Sequence, residues 1–108
     1  MNMYNIYDDV NSMAAEEEVI TCLLQHKNIR IERIISSGQI TPEDKPYYQN
    51  QDEWIVVLQG KATIQLEDKQ TVLNAGDTLF IPRHTYHRVT YTSAEPKVIW
   101  LAVHIDSC

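Results

Sequence analysis

The feature that most constrains the fold is a change in hydrophobic period after Asn28. From Ile29 onward, apolar residues recur at every second position within short segments, and turn-forming residues separate these segments. A period of two is typical of strands that bury one face, and turns every 8–12 residues or so are typical of sandwiches and barrels. The sequence therefore predicts about seven or eight short antiparallel strands, including 29–35, 54–58, 62–67, 71–73, 78–81, 87–91 and 97–105.

The segment before Asn28 has a helical pattern instead. Residues 12–26 place Ile20, Leu23 and Leu24 at positions i, i+3 and i+4, and Glu16 to Glu18 stand where the positive end of a helix favours carboxylates. This pattern predicts a short amphipathic α-helix that packs on the strands that follow. We therefore divide the single domain into an N-terminal segment, 1–28, and a barrel, 29–108.

Composition excludes several classes of function. The chain has 108 residues, fewer than two domains need, and 15 acidic against 9 basic residues give a net charge of −6. Phosphate-binding basic clusters, an apolar stretch long enough to span a bilayer, and the motifs of P-loop, serine-hydrolase and dithiol chemistry are absent from the sequence. We expect a cytoplasmic protein that binds neither nucleic acid nor membrane.

Two stretches of the barrel segment resemble the two motifs of the cupin superfamily. Glu53 and Gly60 match the end of the first motif, G-x5-H-x-H-x(3,4)-E-x6-G. Gly76, Pro82 and His87 match the second motif, G-x5-P-x-G-x2-H-x3-N. The resemblance is to small bacterial single-domain cupins, and it implies an all-β fold, the cupin jelly-roll barrel of antiparallel strands, here preceded by the short N-terminal α-helix.

The chain departs from these motifs at positions that bear on metal binding. Tyr47 and Gln49 stand where the family has its His-x-His pair, and His84 replaces the middle glycine of the second motif. In the family, the two histidines, the glutamate and the later histidine hold one metal ion. The resemblance therefore implies a site built from Gln49, Glu53 and His87 for one divalent ion, with Fe, Ni, Mn and Zn as candidates.

Two interpretations of this group stay open. In the first, Gln49, Glu53 and His87 bind a metal; with a single imidazole, affinity for the late transition metals would be lower than in a three-histidine site. In the second, the same side chains form a metal-free, hydrogen-bonded cluster that orients a ligand. Tyr47 is expected to donate a hydrogen bond, since an ordinary tyrosine has a pKa of about 10 and is not a phenolate at neutral pH.

Further residues are candidates for the ligand pocket. His84 lies three positions before His87, near the barrel mouth that the resemblance implies. His104 lies on a strand whose two faces both carry apolar residues, so the sequence leaves open whether it points inward. An inward Arg33 would anchor a carboxylate, whereas Arg30 and Glu32, on the opposite face of the same strand, are expected to form a solvated ion pair.

These expectations combine into a functional hypothesis with an alternative. The chain is expected to use a polar barrel cavity to bind or act on a small polar metabolite; as an enzyme it would be a metal-dependent isomerase, lyase or dioxygenase. The alternative is a metal-free ligand-binding sensor or an interaction protein with a vestigial site. A homodimer is expected, because exposed sheet edges need cover and the resembled barrels commonly pair their sheets.

Overall fold

The computed structural model describes residues 3–12 and 16–106 of the chain. Almost all regular structure is β. The elements in chain order are a 3-10 turn at Val10–Ser12, β1 at Val19–His26, β2 at Ile29–Ser36, β3 at Asp52–Gln59, β4 at Ala62–Leu66, β5 at Lys69–Leu73, β6 at Thr78–Ile81, β7 at His87–Thr92 and β8 at Val98–Ile105.

The strands form two antiparallel sheets that share one core. The larger sheet has the order β1-β2-β8-β3-β6, and the smaller has the order β5-β4-β7. Buried side chains from both sheets make a single cluster, with Ile55 and Val57 from the larger sheet and Ala62 and Ile64 from the smaller one. The predicted all-β antiparallel barrel is therefore confirmed.

The central strand β8 determines which residues face this core. It pairs with β2 on one side and β3 on the other. Because side chains alternate along a strand, burial of Trp100 and Ala102 places His104 on the same inner face. The orientation of His104, which the sequence leaves open, is inward.

The predicted N-terminal α-helix is wrong. Residues 19–26 form β1, which pairs antiparallel with β2 through a two-residue turn at Lys27 and Asn28. Among the described residues before β1, 3–12 and 16–18, the only helical element is the 3-10 turn. Residues 13–15 of the predicted helix lie outside the described residues. Burial alternates along β1: Val19 is half-buried, whereas Ile20 and Cys22 are exposed. Both faces of this strand are apolar, so a period of two is not visible in its sequence, while tertiary pairing overrides helix propensity.

The N-terminal residues cover the outer face of the larger sheet. Val10 packs with Ile35 and Ile99 in a second buried cluster, separate from the barrel core. Within residues 3–12 and 16–106, no helix is long and apolar enough to cross a membrane. The expected homodimer stays a prediction.

Gly60 closes the turn between β3 and β4 in a conformation that other residues rarely adopt. Its φ is +86°, and a Cβ at this position would lie 2.9 Å from Ser93 Oγ and 3.0 Å from the Lys97 carbonyl oxygen. Gly76 has a similar φ of +93° but open space where its Cβ would lie. The two glycines therefore separate backbone strain from steric overlap.

We predict that Gly60→Ala destabilises the fold more than Gly76→Ala. Both substitutions carry the strain of positive φ, about 1–2 kcal/mol, and Gly60→Ala adds overpacking of about 1–3 kcal/mol. Urea unfolding of the two variants and the wild type measures the difference. Equal losses of unfolding free energy would contradict the close packing at Gly60.

Candidate functional site

A cavity of about 150 Å³ opens between the two sheets. Its walls are mainly apolar side chains, among them Ile34, Ile55, Ile81 and Trp100. Its polar lining consists of three carboxylates, two imidazoles, a phenol and an amide: Glu18, Glu32, Glu53, His87, His104, Tyr47 and Gln49.

Strand pairing holds two of these groups side by side. In the register of β3 with β8, Glu53 lies directly opposite His104. In the register of β2 with β8, Glu32 lies opposite Ala102, one step along the inner face from His104. The two carboxylates therefore flank the His104 ring from neighbouring strands, and His104 is only 7% exposed.

A short antiparallel bridge brings His87 to the same cavity. The Tyr47 N–H donates to the His87 carbonyl oxygen at 2.7 Å, and the His87 N–H donates to the Tyr47 carbonyl oxygen at 3.0 Å. The two rings stack with centroids 5.4 Å apart. The segment before β3 is thereby fixed to the start of β7.

Glu53 is the centre of the polar cluster. Gln49 Nε2 donates to Glu53 Oε1 at 2.8 Å. His87 Nε2 lies 3.8 Å from Glu53 Oε1, and His104 Nε2 lies 3.8 Å from Glu53 Oε2. A buried carboxylate with one hydrogen bond and two imidazoles just beyond hydrogen-bond distance is suited to exchanging protons with a ligand between them.

The partners of the two imidazoles indicate which ring nitrogens carry protons. His87 Nδ1 lies 3.0 Å from the Thr85 carbonyl oxygen, which can only accept, so Nδ1 is the donor. His104 Nε2 lies 3.1 Å from Glu32 Oε1, and an ionised carboxylate likewise only accepts. In the neutral rings, His87 Nε2 and His104 Nδ1 are then bare acceptors; His104 Nδ1 is buried and has no hydrogen-bond partner among the described residues.

Glu18 is held at the cavity by a chain of hydrogen bonds from the core. Trp100 Nε1 donates to Ser36 Oγ at 3.1 Å, and Ser36 Oγ donates to Glu18 Oε2 at 2.9 Å. The third carboxylate, Glu32, accepts from Arg30 Nε at 3.0 Å. Glu32 thus has a cationic partner, whereas Glu18 and Glu53 accept from neutral donors.

The phenol of Tyr47 is held in its neutral form. Burial raises the pKa of Tyr47 above its usual value of 10.0, and the charges of Glu18 and Glu53 raise it further, against a smaller lowering by a hydrogen bond with Thr41. A tyrosine that ligates a metal as phenolate needs the opposite, a local positive charge. The expectation that Tyr47 acts as a hydrogen-bonding phenol agrees with this environment.

We predict that Tyr47→Phe reduces the loss of stability at alkaline pH. A phenol whose pKa is raised on folding favours the folded state below the unfolded value, near 10, and that contribution disappears as the pH rises through the folded pKa. Urea unfolding of wild type and variant at about pH 8 and about pH 11 measures it. Identical alkaline losses in both proteins would contradict a raised pKa at Tyr47.

The structure brings together five of the seven residues named from the sequence and leaves two outside. Tyr47, Gln49, Glu53, His87 and His104 all line the cavity. His84 and Arg33 do not line it.

His84 is exposed and serves the loop rather than the cavity. Its Nε2 lies 3.0 Å from Asn50 Oδ1, its ring stacks on Tyr48, and its backbone N–H donates to the Gln49 carbonyl oxygen at 2.8 Å. Its φ of +62° lies in the left-handed region, where the resembled family has glycine. His84, which the sequence suggested as a pocket residue, therefore does not contact the cavity.

Arg33 points to the opposite face of the larger sheet. It is 2% exposed, and its Nη1 donates to the Ile6 and Asp8 carbonyl oxygens at 2.9 and 2.8 Å. Its guanidinium also lies 5.4 Å from the centre of the Tyr4 ring. Arg33 thus anchors the N-terminal segment, and it does not reach a ligand in the cavity.

Sequence reasoning missed two carboxylates of the lining. Glu32 was expected in a solvated ion pair, yet the face that it shares with Ile34 is the inner one. Glu32 and Arg33 are adjacent and point to opposite faces of β2, and both are charged. The sequence therefore does not show which of the two faces is the inner one. The N-terminal residues that cover Arg33 make its face the outer one. Glu18 was assigned to a helix, so its place beside β2 could not be inferred.

The cavity contains side chains of the types that bind metals, but the described residues do not group three of them as a ligand set. Imidazole and carboxylate are metal ligands, and a His87 ring held by a carbonyl at Nδ1 offers a bare Nε2, as metal-binding histidines do. Among residues 3–12 and 16–106, however, no three His, Cys, Asp or Glu side chains are grouped as a ligand set. Gln49 is placed with its amide nitrogen, a donor, toward Glu53.

Comparison with known proteins identifies the family. The sequence model of the cupin domain matches residues 34–104. The chain belongs to the cupin family. This cupin is similar over 99% of its length to the whole chain of a crystal structure from Ralstonia eutropha JMP134, a candidate mannose-6-phosphate isomerase, with 39% identity and a TM-score of 0.92.

The similarity to two other proteins covers less of the chain or has a lower sequence identity. The uncharacterized protein YdbB of Bacillus subtilis (strain 168) is 44% identical over 46 residues, and this cupin spans 41% of its length. The crystal structure of Fe(II) HppE has a TM-score of 0.69 at 22% identity, over 82% of this cupin and 50% of that chain. At that identity the likeness to HppE extends to the fold alone.

Proposed function

We propose that this cupin binds a small polar metabolite in the barrel cavity, with Glu53, His87 and His104 as its polar contacts. The observation that carries the proposal is the Glu53 carboxylate, which is buried in the cavity, accepts from Gln49 and faces both imidazoles at 3.8 Å. Buried polar groups of this kind are costly unless they are satisfied, and a ligand between them would satisfy them.

The cavity limits the ligand to a small molecule. Its volume of about 150 Å³ is about that of an engineered protein cavity that holds benzene. Apolar walls with a few polar groups at one end are typical of metabolite sites. The ligand would lay a short carbon skeleton against Ile55 and Ile81 and turn its polar group toward Glu53.

A sugar phosphate is a poor match for this lining. The Ralstonia eutropha relative is a candidate mannose-6-phosphate isomerase, and phosphate sites in proteins are built from Arg, Lys and backbone N–H groups. Here no Lys or Arg belongs to the described lining, and three carboxylates do. The lining of this cupin therefore does not favour mannose 6-phosphate as a ligand.

A metal-dependent function is the second candidate. It would use Gln49, Glu53 and His87 to hold one divalent ion, and it is favoured by the bare Nε2 of His87 facing Glu53. The HppE structure, whose name includes Fe(II), is an iron-bearing example on the same fold. The bound ion would supply Lewis-acid or redox chemistry, and the isomerase, lyase and dioxygenase classes belong to this candidate alone.

Elemental analysis separates the two candidates. Untagged protein is loaded with Fe, Ni, Mn or Zn, desalted and measured by plasma mass spectrometry, beside Glu53→Gln, His87→Ala and the exposed control His26→Ala. We expect substoichiometric metal that the cavity variants do not change. One ion per chain that is lost in Glu53→Gln and His87→Ala but kept in His26→Ala would contradict the metal-free proposal and establish the second candidate.

A further inference from the structure

We propose that the cavity selects a ligand that donates hydrogen bonds and carries positive charge: the ammonium group of a small amine on a short alkyl or hydroxyalkyl skeleton. This inference rests on the proposed function, because it names the ligand class of the same cavity. The supporting observation is that most polar atoms of the lining without a hydrogen-bond partner among the described residues are acceptors.

The imidazoles contribute one acceptor that lies beside Glu53 in the cavity and one that is buried. Because His87 gives its Nδ1 proton to the Thr85 carbonyl, its Nε2 is bare and faces the cavity side of Glu53. Because His104 gives its Nε2 proton to Glu32, its Nδ1 is bare, buried and without a partner in the described part of the chain. A neutral histidine with one committed nitrogen can only accept at the other.

The carboxylates contribute the remaining acceptors. Each ionised carboxylate has about four lone-pair positions. Glu53 Oε1 accepts one hydrogen bond from Gln49, and Glu18 Oε2 accepts one from Ser36. Most of their lone pairs are therefore available to a donor.

Few donors face these acceptors. The Gln49 amide nitrogen directs one of its two N–H groups at Glu53. The Tyr47 hydroxyl is a further side-chain donor of the lining, and it is hydrogen-bonded with Thr41. A carboxylate or a phosphate consists mainly of acceptors, so its oxygens would face the acceptors of the lining without forming hydrogen bonds, and their negative charges would repel. An ammonium group, with three donors and no acceptor, is the complement.

The charge of the lining favours the same ligand. Arg30 neutralises Glu32, but Glu18 and Glu53 are hydrogen-bonded only to neutral groups. Glu53 is buried in the cavity, and Glu18 lies at an exposed position of the lining. Two uncompensated negative charges attract a cation and repel an anion.

The spacing of the acceptors suits an organic ammonium. A metal needs several donors converging at about 2 Å, and the described residues have no such group. An ammonium needs acceptors at ordinary hydrogen-bond distances of about 3 Å, so acceptors spread around a cavity suffice. The Trp100 side chain also lines the cavity wall.

Three probes with the same carbon skeleton test the ligand class. 1-Amino-2-propanol is cationic at neutral pH, 1,2-propanediol is neutral and lactate is anionic. Each is titrated into ¹⁵N-labelled wild-type protein, and shifts of the amides of Glu53, His87 and His104 are followed. We expect the amine to bind about tenfold more tightly than the diol, since charge-assisted hydrogen bonds are about twice as strong as neutral ones, and lactate to cause no shift at these amides.

Matched variants test the origin of the preference. Glu18→Gln keeps an acceptor for Ser36 and removes one charge from the lining, so it is expected to weaken amine binding and leave diol binding unchanged. Glu16→Gln removes the same charge from an exposed residue outside the lining and is expected to change neither.

The outcomes distinguish this inference from the function on which it rests. Equal or tighter binding of diol or lactate at the cavity amides would overturn the amine class and leave cavity binding intact. Failure of all three probes to shift the cavity amides would contradict both. An equal loss of amine binding in Glu16→Gln and Glu18→Gln would assign the preference to overall charge and overturn the inference.

Discussion

The pairing register of β8 with its two neighbours is the constraint on which the site depends. It sets His104 opposite Glu53 on β3 and next to the inner face that Glu32 occupies on β2. A slip of one residue would turn Trp100, Ala102 and His104 outward and bring Leu101 and Val103 into the core. Burial of Trp100 and Ala102 therefore fixes the position of a polar group two residues further along, so the packing of the core and the chemistry of the cavity are set by the same register.

The second polar half of the cavity depends on a smaller contact. The two backbone hydrogen bonds between Tyr47 and His87 join a loop to β7 and bring His87 opposite Glu53. In this cupin the His-x-His pair of the family motif is Tyr47 and Gln49, and both still line the cavity. Their chemistry differs, because the phenol stays protonated and the amide donates to Glu53. The scaffold is that of the family, while two of its metal-ligand positions carry hydrogen-bond donors beside Glu53.

Much of this fold could be predicted from the sequence, and the failures have physical causes. The strands after Asn28 alternate clearly because each buries one face, and their positions followed from that alternation. The prediction for β1 was wrong because Ile20, Cys22 and Leu24, on the exposed side of the strand, are apolar, so its sequence does not alternate between polar and apolar residues. The glutamates before it also resemble the start of a helix. In the site, local motifs identified Glu53 and His87, but the inward side of Glu32 and the outward side of Arg33 are decided by residues 3–12, which cover one face of the sheet.

The central claim is that the His87 imidazole presents a bare nitrogen beside Glu53 in the cavity, while the His104 imidazole donates to Glu32. It is tested most directly by ¹⁵N chemical shifts of the histidine rings, measured by NMR at a pH where the rings are neutral and assigned with His87→Gln and His104→Gln. We expect His87 to be protonated at Nδ1 and bare at Nε2, and His104 to be protonated at Nε2 and bare at Nδ1. The opposite tautomer at His87 would place a donor beside Glu53 in the cavity, and the opposite tautomer at His104 would remove its donor to Glu32; either result would contradict the account.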